Sequence, residues 1–111
     1  MNQNLWKELE NFALNCTACE LCKTRRNVVF GSGDPSSRLW LVGEAPGSNE
    51  DEQGLPFVGQ AGALLDTFLE ENGFKRHSLF ITNVIKCRPP NNTDPTEDQK
   101  NKCFPILAAQ L

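Results

Sequence analysis

The sequence is poor in the features that mark several protein classes. It has no apolar run approaching the roughly 18 residues that a membrane helix needs, so no membrane span is expected. Its opening, MNQNLWKELE, is polar and acidic and lacks the basic-then-apolar order of a secretion signal, which makes the cytoplasm the expected compartment. Internal repeats and low-complexity segments are missing too, and 111 residues leave room for one small domain, not two. Charge of either sign is not in large excess. The net value of −3 argues weakly against nucleic acid, although basic groups at Lys23–Arg26, Lys75–Arg76 and Lys86–Arg88 keep a DNA contact open. Histidine occurs once, as His77 at an expected helix-to-strand junction, and reads as an exposed loop residue, not a catalytic one. Gly31-Ser32-Gly33 precedes a strand instead of following one, which excludes a dinucleotide-binding fingerprint.

Cysteine, by contrast, is abundant. Five in so short a chain point to a metal or cluster site, since stable disulfides are not expected in a reducing compartment. Cys16, Cys19 and Cys22 are spaced so that the turns between them can aim sulfurs at one centre, and Cys87 and Cys103 lie far downstream. A late pair closing on an early pair would restrain the unfolded chain by roughly 4 kcal/mol in the loop-entropy picture. Spacing alone leaves three readings open: an iron–sulfur cluster, a four-cysteine zinc site, or unligated thiols. The CxxCxxC run is similar to that of bacterial ferredoxins, but their closely following Cys-Pro is absent, which disfavours electron transfer.

Periodicity supplies the scaffold. Residues 3–15 read as an amphipathic helix with Leu5, Leu9, Phe12 and Ala13 on its apolar face, and Cys16 to Arg26 as a loop. RLWLVG (38–43) and LFITNVI (79–85) read as buried strands. Between them, GEAPGSNEDEQGLPFVG is too punctuated for regular structure, and residues 60–71 form a helix with Ala61, Leu64, Leu65, Phe68 and Leu69 on one face, stopped by Asn72-Gly73. A last helix opens with Asp94 as cap, Pro95 in the first turn and Glu97 at the capping-box position. Strand, helix, strand is a right-handed parallel βαβ unit, which brings the GEAPG turn and the end of strand 79–85 to the same carboxyl edge, where ligand sites collect. Two parallel strands cannot bury both faces of a sheet, and the final FPILAAQL stops without a cap. The expected fold is therefore α/β, a partial three-layer α/β/α arrangement with a parallel sheet. It forms a single incomplete domain over residues 1–111, truncated at the carboxyl end.

Gly43-Glu44-Ala45-Pro46-Gly47, Glu50-Asp51, Gly54, Pro56-Phe57-Val58-Gly59 and Ala61-Gly62, followed by Ile81-Thr82-Asn83-Val84 and Lys86-Cys87-Arg88-Pro89-Pro90, form a series in fixed order. The series resembles the motifs of the family-four, iron–sulfur uracil-DNA glycosylases from about Cys16 to the last residue. The resemblance implies a DNA-repair hydrolase, monomeric, that acts on uracil-containing DNA and cleaves the N-glycosidic bond to leave an abasic site. It implies that Phe57 stacks on the flipped base, that Asn83 reads the O4/N3 edge, and that Gly43 and Ala45 border the uracil. Glu44 is implied as the catalytic acid, positioning water or stabilising cationic character at the sugar, with Glu50 and Asp51 as acidic alternatives. It also implies a 4Fe-4S cluster on Cys16, Cys19, Cys87 and Cys103, with Cys22 as the spare.

Physical chemistry supplies reasons for these roles. A flipped base costs a few kcal/mol of unstacking that a pocket must offset, and an aromatic ring beside a held amide can do so while rejecting cytosine, whose edge pattern is reversed. Bond cleavage separates positive charge on the sugar from negative charge on uracil, which suits a nearby carboxylate and backbone N–H groups. The sequence departs from the family at Thr93, where an arginine is common, and nothing follows Leu111 to supply the histidine-bearing loop that the resemblance implies. This chain alone is accordingly expected to be weak or inactive. The basic, His-bearing insertion of the covalently trapping relatives is absent, so no covalent DNA adduct is expected. A non-catalytic four-cysteine module and a partial reading frame that does not fold stably are the alternatives.

Overall fold

Phe80, Ile81, Thr82 and Asn83 are all buried, at 3% exposure or less, because they form the middle strand of a three-stranded sheet. A computed structural model describes residues 3–111. In chain order its elements are α1 (Gln3–Leu14), β1 (Ser32–Gly33), β2 (Trp40–Gly43), α2 (Ser48–Gln53), α3 (Gln60–Glu71), β3 (Phe80–Asn83) and α4 (Glu97–Gln110), with 3-10 turns at Glu20–Lys23, Arg76–Ser78 and Pro90–Asn92. Strands β2 and β3 run parallel, in register from Trp40 opposite Phe80 to Gly43 opposite Asn83. The expected βαβ unit and the α/β class are therefore present. No helix among the described residues is long and apolar enough to cross a membrane.

The sheet is mixed, not purely parallel as expected. Short β1 pairs antiparallel to β3, with Ser32 opposite Ile81 and Gly33 opposite Phe80. GSG carries no apolar alternation, so nothing in its pattern announced a strand. Its glycines make the approach possible: at Gly31, with φ +146°, a Cβ would lie 2.8 Å from the Phe80 ring carbon Cε2, and Gly33 has φ +106°. The preceding Val28, Val29 and Phe30 are buried as well, and the Val29 amide donates to the Lys86 carbonyl at 2.7 Å.

An aromatic cluster seats α1 against the sheet. The Trp6 ring meets Phe30 and Phe80 edge-on with centroids 5.2 Å away in each case, and Trp40 packs on Phe80 at 4.5 Å. The apolar face of α1 is thus rotated from the expected one. Trp6, Leu9 and Ala13 turn inward, while Leu5 and Phe12 are exposed. The large indole outweighs the leucine spacing. On α3, the expected apolar face buries only Leu69, whereas Leu64 is 73% and Phe68 60% exposed. Among the described residues nothing covers that stripe.

Two further expectations need correcting. The punctuated GEAPG-to-PFVG stretch contains a helix, α2, because Glu50 at its third position accepts the Gly47 amide at 2.9 Å and Gly54, in the left-handed region at φ +74°, closes it. Helix α4 is capped by Thr96, not Asp94. The Thr96 hydroxyl accepts the Gln99 amide at 3.1 Å, and the Gln99 side chain accepts the Thr96 amide at 3.0 Å. Thr96-Glu97-Asp98-Gln99 is the better capping box, because both of its reciprocal side-chain bonds are made.

Candidate functional site

Gly43 and Asn83 are the last register partners of the parallel pair. Pairing continues just beyond them, since the Val84 and Ile85 amides donate to the Gly43 and Glu44 carbonyls, each at 2.9 Å. The GEAPG turn is thereby stitched to the end of β3, as expected of a carboxyl-edge site. Onto this edge comes Phe57, brought by the loop between α2 and α3. The convergence is tight: a Cβ built on Gly43 would lie 2.5 Å from the Asn83 Oδ1 and 2.7 Å from the Phe57 ring carbon Cζ. Glycine at position 43 is required by this close approach.

Two adjoining spaces open there, one of about 320 Å³ bordered by Gly43, Glu44, Ala45, Phe57 and Asn83, the other of about 100 Å³ bordered by Ala45, Phe57, Asn83, Glu50 and Ala61. All five pocket residues read from the sequence therefore meet at one site. The Asn83 amide is 3% exposed, and no side-chain hydrogen bond to another described residue occupies it, so its donor and acceptor remain available to a ligand. Thr93 and Asp94 also border the larger space. Asp94, read from the sequence as a helix cap, is a second carboxylate at this site, and its position right after a loop turn gave no signal of that.

The acids separate by environment. Glu44 is exposed at the rim, and no described residue hydrogen-bonds its carboxylate. Glu50 is committed: it accepts the Gly47 amide at 2.9 Å, Val58 at 2.9 Å and Gly59 at 2.8 Å. Desolvation alone would raise its pKa, but these three donors outweigh that and hold the carboxyl below its ordinary value. Asp51 is buried and turns away from the pocket, accepting the Arg26 and Asn27 amides at 2.8 and 3.2 Å. Both alternatives to Glu44 are thus engaged by backbone amides.

Several basic residues are structural too. Lys86 is 1% exposed. Its ammonium donates to the Asn83 carbonyl at 2.7 Å and to the Thr82 hydroxyl, which donates in turn to the Phe30 carbonyl at 2.8 Å. Burial pushes its pKa down to about 8. Sequence pattern alone grouped Lys86 with Arg88 as a surface basic patch, and nothing in that pattern distinguished a lysine that folds back under its own strand end. His77 is exposed, as expected.

The cysteines form a second site on the other side of the β3 end. All five border one cleft between the end of α1, the turn at residues 20–23, the chain after β3, and α4. Cys87 and Cys103 are buried, and the other three are half-buried. The Lys86 amide donates to the Cys103 Sγ at 3.2 Å, Arg25 Nη1 to the Cys87 Sγ at 3.3 Å, and the Ala18 amide to the Cys16 Sγ at 3.5 Å. Such N–H donors suit sulfurs that carry negative charge. Burial pushes the Cys87 thiol up to about 11 and raises Cys103 as well, so these thiols stay protonated at neutral pH unless a cationic centre stabilises the thiolates. Among the described residues no three His, Cys, Asp or Glu side chains are grouped as ligands of a single metal ion.

A family model described as the uracil DNA glycosylase superfamily matches residues 30–111. The chain belongs to this superfamily. It is 47% identical over 106 residues to the Type-4 uracil-DNA glycosylase of Sulfurisphaera tokodaii, covering 95% of this chain and 48% of that protein. It is 50% identical over 96 residues to the Type-4 uracil-DNA glycosylase of Thermotoga maritima, covering 86% of this chain and 50% of that protein. With the Type-5 uracil-DNA glycosylase of Thermus thermophilus the identity falls to 30% over 128 residues, covering 85% and 58%. The chain spans about half the length of the Type-4 relatives. The superfamily match takes in the whole pocket together with Cys87 and Cys103, while Cys16 and Cys19 lie before it.

Proposed function

We propose that this chain carries the uracil-holding part of a DNA-repair glycosylase of the Type-4 kind, which hydrolyses the N-glycosidic bond of uracil in DNA. The observation that carries the proposal is the meeting of the Phe57 ring and the buried Asn83 amide over the Gly43 backbone. A flipped pyrimidine lying against that ring gains stacking, and the amide offers an acceptor to N3–H and a donor to O4. Cytosine presents the opposite pattern and would leave the buried amide mismatched. Glu44, with its carboxylate uncommitted at the rim, is the group that positions water or stabilises positive charge at the sugar as the bond breaks. Ala45 and Gly43 border the base without crowding it.

In this reading Cys16, Cys19, Cys87 and Cys103 hold a 4Fe-4S cluster, and Cys22 is spare. The donor set fits: these four thiols border one cleft, which Cys22 lines as well, and backbone and arginine N–H groups point at three of the sulfurs. A four-cysteine zinc site, with sulfurs about 2.3 Å from the metal, is the competing occupant of the same thiols, and iron content with visible absorption separates the two. The cluster supplies a tether between the amino-terminal segment and the strand end beneath the pocket. Free thiols are compatible with a reducing compartment such as the cytoplasm, and we take residues 1–111 as part of one monomeric domain. Since the Type-4 relatives are about twice as long, excision by this chain alone is expected to be weak.

Equilibrium binding tests the reading without requiring turnover. Anaerobically prepared protein should bind free uracil and uracil-containing single-stranded DNA in preference to the cytosine counterparts. Asn83→Asp should cut uracil affinity by about 10- to 100-fold, as expected for a buried pair of ligand hydrogen bonds. Equal affinity for uracil and cytosine in the parent chain would sink the proposal.

A further inference from the structure

Phe57 is one of two described non-glycine residues with a positive φ, +52°. A bulky side chain leaves that region unless its surroundings hold it there. Here both sides of its peptide are gripped. On the amide side, Val58 and Gly59 donate to one oxygen of Glu50 at 2.9 and 2.8 Å, while the other oxygen accepts from Gly47 in the GEAPG turn. On the carbonyl side, the Arg76 guanidinium donates to Phe57 O, to Pro56 O at 3.2 Å and to Gly62 O at 3.3 Å. Its Nε pairs with Asp66, which fixes the plane of the fork. Helix α3 closes in so far that a Cβ at Gly62 would collide with the Phe57 carbonyl.

We propose that Arg76, acting with Glu50, is a positioning residue for base stacking: the two hold Phe57 in its left-handed conformation so that the ring faces Asn83 before any base arrives. Neither side chain is needed to touch the base. The role calls for a planar fork with several fixed donors, which lysine lacks. Preorganisation of this kind appears as affinity, since the ordering of the loop no longer has to accompany binding. The inference rests on the uracil reading of the pocket, and its test separates the two.

The measurements are amide hydrogen exchange at Val58 and Gly59, and affinity for a uracil-containing oligonucleotide, in Arg76→Lys and Glu50→Gln. Both variants should accelerate exchange at those amides while β3 amides remain protected. Uracil affinity should fall by about tenfold or more, as for loss of a preset geometry. In a Phe57→Ala background the same substitutions should cost no further affinity. Unchanged exchange with unchanged affinity would overturn the proposal, as would an equal loss of affinity with and without the ring. If Arg76→Lys does not fold, Glu50→Gln decides alone. A parent chain indifferent to uracil removes the pocket reading, and the exchange result still judges the clamp.

Discussion

Adding one methyl group at Gly43 should disable the pocket while sparing the fold. The backbone of Gly43 is not in the left-handed region, so alanine is conformationally acceptable there. The new Cβ, however, would sit 2.5 Å from the Asn83 Oδ1 and 2.7 Å from the Phe57 Cζ, against ordinary contacts of about 3.5–4.0 Å. One of the two groups must move by about 1 Å. The backbones of both residues are held, Asn83 by Lys86 and its place in β3 and Phe57 by its flanking bonds, so the side-chain amide or the half-buried ring must turn aside, and either movement separates the two. A misplacement of that size costs on the order of 100-fold where geometry governs the step, while overpacking costs the fold about 1–3 kcal/mol. The expected result for Gly43→Ala is a loss of about 100-fold in uracil affinity, or in kcat/KM in a longer form of the protein, with cooperative unfolding retained. Calorimetric titration with a uracil-containing oligonucleotide beside urea unfolding measures both. Uracil affinity within threefold of the parent would refute the claim that ring and amide converge on this backbone.

Removing the Asp51 carboxylate deprives the Arg26 and Asn27 amides of a charged acceptor. Asp51→Ala should lower stability by about 2–4 kcal/mol, seen as a lower urea midpoint with an unchanged slope, and a loss under 0.5 kcal/mol would contradict the structural role. For the cysteines, Cys103→Ser and Cys87→Ser should abolish iron retention and the associated visible absorption, while Cys22→Ser should keep about four irons per chain; iron loss on Cys22→Ser alone would reassign the ligands. Glu50 contributes to the acid limb of stability. Its folded pKa lies below the unfolded one, so its contribution is present above about 4.5, the ordinary glutamate value, and is lost as pH falls through the folded pKa. Glu50→Gln should therefore flatten the stability profile below pH 4.5, and a profile parallel to the parent's would argue against the three amide bonds.

Much of the framework was legible because it is local. The α3 boundaries, the positions of both parallel strands and the carboxyl-edge meeting of GEAPG with Asn83 follow from periodicity and from the handed βαβ connection, although β2, read as a buried strand, leaves Val42 exposed. What escaped was decided by tertiary contact. The GSG strand depends on glycines fitting beneath Phe80 and has no pattern of its own. Trp6 displaced the leucine face of α1 because three other aromatic rings lie within reach. Lys86, Arg76 and Arg25 looked like surface charge, yet each is bonded inward to carbonyls or sulfur. Long cationic side chains can turn toward either water or unpaired carbonyls, and composition does not tell which.

The arrangement around Lys86 joins the two sites that the sequence presented separately. Its amide donates to the Cys103 sulfur, its ammonium to the Asn83 carbonyl, and the next residue is Cys87. One residue therefore spans the distance between the sulfur cleft and the strand end that carries Asn83. Backbone held at both ends has little freedom to rotate, so order in the sulfur cleft is expected to steady Asn83, the residue proposed to read the base. If the thiols gain a shared centre, the segment from Asn83 to Cys87 is fixed between two anchors. Without one, the buried thiols are protonated and bind only weakly through N–H···S contacts. Affinity for uracil should then fall on iron removal even though no sulfur borders the pocket, and the fall should track loss of exchange protection at Val84 and Ile85, whose amides close the strand onto the GEAPG turn. Iron-free protein with full protection at those two amides would break that connection.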